Sequence, residues 1–109
     1  MPKKEIPDEL TITLRKPVML GQGSDAETFT ELALREPIVE EVLAFNKDSA
    51  KDAGDALRKL IARVAGTPIA VINRIGARDF TTAANYLTSF MAGDEDGVRE
   101  EDEETGAGK

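Results

Sequence analysis

Hydrophobic and polar positions change rhythm along this chain, and the rhythm divides it into segments. Leu10, Ile12 and Leu14 alternate with Thr11, Thr13 and Arg15, the period-two pattern of a strand with one buried face. Pro17 has no N–H to give to a ladder, so it belongs at an edge or a kink. Val18, Met19 and Leu20 continue the strand beyond it. Gly21-Gln22-Gly23-Ser24-Asp25 is a turn cluster, and such clusters reverse the chain. Phe29 to Leu34 then runs back as a second strand, with Thr30, Leu32 and Leu34 on one face. The pattern predicts a β-hairpin over 10–35 whose loop is longer than the tightest class.

Beyond the hairpin the period becomes helical. Pro37 suits a first helical turn, and Ile38, Val42 and Phe45, with Val39 and Leu43 beside them, recur at helical spacing. Asn46, Lys47, Asp48 and Ser49 are all polar and read as a loop. Ala53, Leu57, Leu60, Ile61 and Val64 form the clearest amphipathic stripe in the chain, and Gly66 stands where a C-terminal cap is expected. Thr67-Pro68 restarts a short helix through Ile69, Ile72 and Ile75, ended by Gly76. A last helix carries Phe80, Ala83, Ala84, Leu87, Phe90 and Met91 and stops at Gly93. The predicted fold is α+β: an N-terminal β-hairpin (10–35) followed by a bundle of about four short helices (37–92). Together they make a single domain over 10–92, with a flexible leader at 1–9. A hairpin alone is marginally stable, so this one must pack on the helices or pair with another chain.

Composition sharpens this picture by exclusion. The 109 residues amount to one domain, and aromatics at 5% leave a core built from aliphatic side chains. There is no Cys and no His. That removes disulfide frameworks, zinc fingers, thiol nucleophiles, Ser-His-Asp triads and imidazole acid/base chemistry. No apolar run is long enough for a transmembrane helix, and the charged start has no apolar stretch behind it, so no signal peptide is expected. Residues 93–109 hold eight acids against Arg99 and Lys109, a net −6, while residues 1–92 stand at −1. The acidity therefore belongs to a tail with one sizeable apolar residue, Val98. Such a segment cannot offset the entropy of ordering, so a disordered acidic C-terminal tail is expected. No cluster of positive charge suggests nucleic-acid binding.

Site motifs are fragmentary. Gly106-Ala107-Gly108-Lys109 echoes a phosphate loop but lacks the following Ser or Thr and helix. Gly21-Gln22-Gly23 lacks the third glycine of a dinucleotide site and reads as a hairpin turn. Asp94, Asp96, Gly97 and Glu103 match four positions of a calcium loop, with Ala92 where the first acid belongs; a solvated tail explains them better. Glu40-Glu41 and Asp25-Glu27 are the carboxylate pairs outside the tail. Glu40 and Glu41 stand opposite the apolar stripe of their helix, which implies a solvated face. Tyr86 reads as an edge-of-core residue. No catalytic residue, cofactor or metal ligand is expected from this inventory.

The order of short motifs carries more. Arg15-Lys16-Pro17 follows the first strand, Arg35-Glu36-Pro37 follows the second, and Leu60-Ile61-Ala62-Arg63-Val64-Ala65-Gly66 and Asp79-Phe80 come later. Over about residues 10–91 this resembles the small tail assembly chaperones of contractile-tailed (Mu-like and related) phages and prophages. It departs at Val39-Glu40-Glu41, where the family often has Gly-Asp opening a helix, which leaves the helix start open. The resemblance implies a non-catalytic protein of the host cytoplasm. Its implied partner is the tape measure protein, kept soluble and extended until tube subunits polymerise around it. It also implies a longer form made by programmed frameshifting near the end of the gene, which would recruit the tail tube protein. Gly108-Lys109 is a candidate slip site if encoded GGA-AAG or GGA-AAA after a codon ending in G.

A holdase needs exposed apolar helix surface and a charged segment that keeps complexes dispersed. Phe80, Leu87, Phe90 and Met91 on the last helix are the candidate contact residues, followed by the hairpin edge, with core packing as the competing reading for each. Neither nucleic acid nor membrane is expected as a partner, and self-association is compatible with the marginal hairpin. The alternative reading is an acidic nucleic-acid mimic that inhibits a DNA-binding protein. It rests on charge alone, and that charge is confined to the tail.

Overall fold

In a computed structural model of the protein, residues 6–91 are described. Strands β1 (Glu9–Leu20) and β2 (Glu27–Arg35) form an antiparallel hairpin. Helices α1 (Val39–Ser49), α2 (Ala53–Ala65), α3 (Ile69–Ile72) and α4 (Ala77–Ser89) follow. The predicted α+β architecture, hairpin first and four helices after it, is the observed one. The acidic tail expected at 93–109 lies outside the described residues.

The hairpin reverses through a single 3-10 turn at Gly23–Asp25. Gly21 has φ +98°, and a Cβ there would meet the Asp25 carbonyl oxygen at 3.0 Å, so this corner requires glycine. Along the strands, Ile12, Leu14, Val18, Leu32 and Leu34 are buried while Thr11, Thr13 and Ala33 are exposed. The register is regular from Glu9↔Arg35 to Thr13↔Glu31 and resumes at Val18↔Phe29. The break holds Leu14 to Pro17 on β1 against Thr30 alone on β2, an irregularity that removes Arg15, Lys16 and Pro17 from the ladder. It also corrects one expectation: Phe29, opposite Val18, packs against the core, whereas Thr30 is exposed.

Helix α2 lies against the hairpin and the other helices, with Ala56, Leu60, Ile61 and Val64 buried. It is well terminated at both ends. Asp52 accepts from the Asp55 N–H at 3.1 Å, which satisfies an orphan donor at the N-terminus. At the other end Gly66 adopts φ +63°. The Thr67 N–H donates to Ala62 O at 3.0 Å and the Gly66 N–H to Arg63 O at 3.3 Å, the paired bonds of a Schellman cap. Val71, Ile72, Ala83 and Leu87 complete the core from α3 and α4. Tyr86 is buried, stacks edge-on with Phe90 at 5.1 Å, and donates its hydroxyl to Pro7 O at 2.7 Å. That bond fixes the end of the N-terminal leader, and burial pushes the phenol up from its ordinary pKa.

Three boundaries differ from expectation. Asn46, Lys47, Asp48 and Ser49 are helical, the last turns of α1. Asn46 and Lys47 are exposed and Asp48 and Ser49 half-buried, and polarity alone does not break a helix. Helix α3 ends at Ile72, and Gly76, expected to terminate it, is the N-cap residue of α4. Helix α4 ends at Ser89, so Phe90 is its C-cap and Met91 follows the helix.

Candidate functional site

The two arginine motifs are where sequence and fold meet most clearly. Arg35, at the end of β2, donates both terminal guanidinium nitrogens to the Glu41 carboxylate, at 2.8 and 2.9 Å. Glu41 is the third residue of α1, and its Oε1 also accepts from the Ile38 N–H at 2.9 Å. Ile38 has no side-chain acceptor, so this is the reciprocal half of a capping box without its usual partner. The hydrogen bonds from Arg35 are the main reason the Glu41 carboxyl lies below the ordinary glutamate range; the same bonds raise Arg35. Glu41 is only 6% exposed, which corrects the solvated face expected for it, while Glu40 is exposed. The helix start left open by the sequence is Val39, fixed by this clasp and by buried Pro37.

Arg15 is held differently. Its backbone N–H, released from the ladder by the register break, donates to Asp79 Oδ2 at 2.9 Å. Its guanidinium is looser, with Nε 3.7 Å from Asp79 Oδ1 and the side chain 58% exposed. Asp79 is 4% exposed and, like Glu41, is third in its helix, where an anion faces the unsatisfied N–H groups. The Arg-Lys-Pro and Asp-Phe motifs, sixty-four residues apart from Arg15 to Asp79, are thereby joined. Lys16, Pro17 and Glu36 are exposed. The Glu36 carbonyl accepts from Arg35 Nη1 at 3.1 Å.

The four candidate contact residues do not form one surface. Leu87 is wholly buried in the core cluster, on a helix that packs against α2 and both strands. Phe90 and Met91 are half-buried at the C-terminal end of α4. Phe80 lies at the other end, about 15 Å away along the helix axis. It lines an open groove of about 360 Å³ with Gly54, Arg58, Ile72, Asn73, Ile75 and Ala77. The groove's lining is predominantly apolar. Its rim is set by Arg58, which donates to Asn73 Oδ1 at 2.7 Å and pairs with Asp55. Of the residues lining this groove, Phe80 was among the contact candidates read from the sequence, and Gly54, Ile75 and Ala77 were not. Gly54 inside a helical pattern was the available signal, since a missing side chain there leaves space.

Among the described residues no group of three or more acidic, His or Cys side chains could hold a metal ion, and no helix is long and apolar enough to cross a membrane. The family model described as "Phage tail assembly chaperone proteins, E, or 41 or 14" matches residues 11–92. This chain belongs to that family. No curated protein and no solved structure matches it. The match spans the hairpin and all four helices, so the two carboxylate clasps and the groove are parts of a tail assembly chaperone's folded domain.

Proposed function

We propose that this tail assembly chaperone acts in the host cytoplasm as a non-catalytic holdase for the tape measure protein of a contractile-tailed phage. In this reading it keeps that long helical client soluble while the tail tube assembles around it. The observation that carries the reading is the open apolar groove at Gly54, Ile72, Ile75, Ala77 and Phe80. An amphipathic client helix presents apolar side chains at regular spacing, and a concave apolar surface flanked by Arg58 suits that face. Phe90 and Met91 supply a second, smaller apolar contact. The strongly acidic segment at 93–109 gives loaded complexes like charge, which opposes their association. A longer frameshifted form would add contact with the tail tube protein; it is dropped if the codons for Ala107, Gly108 and Lys109 do not make a slippery run with a second open frame beyond.

Co-expression tests the reading. The tape measure protein should be soluble with this chain and aggregated without it. Equal solubility in both conditions would remove the holdase role. Retention of client binding after deletion of residues 93–109 would separate this reading from a charge-based mimic.

A further inference from the structure

Helix α1 carries an apolar surface that the fold does not use. Val39 is 72% exposed and Leu43 is 62% exposed, while the opposite side of the helix, with Glu41 and Phe45, packs chiefly toward α2. At about 100° per residue, Val39, Leu43 and exposed Ala50 fall within about 40° of one another around the helix axis. They form one stripe, interrupted by exposed Asn46 at the same angle and with exposed Ile38 beside its N-terminal end. Glu40 and Lys47, seven residues apart and both exposed, lie on a second stripe directly beside it. None of these residues lines the groove of the proposed client site.

The charges identify the occupant. A two-fold axis that sets one α1 antiparallel to another keeps each flanking stripe on the same side of the pair. With the axis close to Leu43, Glu40 of one copy then stands beside Lys47 of the other, and the pair occurs twice. Leu43 meets its own counterpart, and Val39 meets the partner helix between Asn46 and Ala50. A single helix face that presents apolar residues in the middle, an acid toward one end and a base toward the other is complementary to itself when reversed. We propose that α1 is a self-association surface. In this arrangement two copies of the chaperone pair antiparallel through Val39, Leu43 and Ala50, flanked by two Glu40–Lys47 contacts between copies.

Sedimentation or light scattering over a concentration series tests this on the full chain. The expected species approaches twice the 11.8 kDa chain mass as concentration rises. Leu43→Glu, at an exposed position, should leave the circular dichroism spectrum unchanged and abolish the larger species. Glu40→Lys and Lys47→Glu should each weaken association about tenfold, and the double reversal should restore it, because each new charge again meets its opposite. A wild-type monomer at every concentration, or a dimer indifferent to Leu43→Glu, would overturn the proposal. Failure of the double reversal to restore association would overturn it too. So would a monomer whose Leu43→Glu variant loses tape measure binding, which would assign the face to the client.

Discussion

Arg15 and Arg35 occupy matching places in the sequence, each followed two residues later by proline, yet the fold uses different atoms of each. Arg35 acts through its guanidinium, which grips Glu41 from six residues away and so squares the turn from β2 into α1. Arg15 acts through its backbone N–H, which β1 leaves unpaired and Asp79 caps from across the molecule. In both cases the acceptor is a carboxylate in the first turn of a helix, where the helix dipole favours an anion. Similar motifs can therefore be similar for different reasons, and only one of the two needs arginine as such.

That contrast can be broken in order of expected effect. Asp79→Ala leaves the part-buried Arg15 N–H without its acceptor and unties α4 from β1. It should cost about 2–3 kcal/mol in denaturant unfolding, and Asp79→Asn, which keeps an acceptor, about half of that. Arg35→Ala strands the buried Glu41 carboxylate. Because the arginine side chain is 43% exposed, water replaces part of the loss, and the cost should be about 1–2 kcal/mol.

Acid should expose the same clasp. A carboxyl held below its ordinary pKa stabilises the fold fully above the unfolded value near 4.5, and that contribution is lost as pH falls through the lower folded value. Stability should decline more steeply below pH 4.5 in the wild type than in Glu41→Gln, measured by unfolding at each pH. The smallest effect belongs to Arg15→Ala, under about 1 kcal/mol, since the bonding N–H remains.

Much of this architecture was legible in the sequence because it rests on periodicity and caps. The alternation through Ile12 and Leu14, the stripe through Leu60, Ile61 and Val64 and the cap at Gly66 each follow from local rules, although Ala53, expected to begin that stripe, is exposed and Ala56 is buried instead. What escaped was set by geometry between segments. Asp79 and Arg15 share no local pattern, and nothing in the strand signals that a break in register frees one N–H. Glu41 looked solvated on its helix because its partner sits in the preceding strand; its place three residues into a helix after Pro37 was the available hint. Thr30 and Phe29 exchanged faces for the same reason that Arg15 left the ladder. At the candidate site, Phe80 was legible as an apolar residue on α4. That Leu87 would be sealed while Phe80 opened onto a groove depended on where α3 and the start of α2 came to rest.

The arginine motifs hold the fold, and in the proposed function the groove holds the client. Binding of purified chaperone to the tape measure protein, compared across three variants of equal stability, tests that assignment most directly. Gly54→Trp fills the groove from a position where an added Cβ meets only the Asp52 carboxylate, at 3.5 Å. Ala77→Glu puts a charge into the groove at the first residue of α4, where an acid favours the helix. Arg15→Ala leaves the groove untouched. The first two should lose binding and the third should keep it; binding that survives in both groove variants and fails in Arg15→Ala would contradict the division between fold and client site.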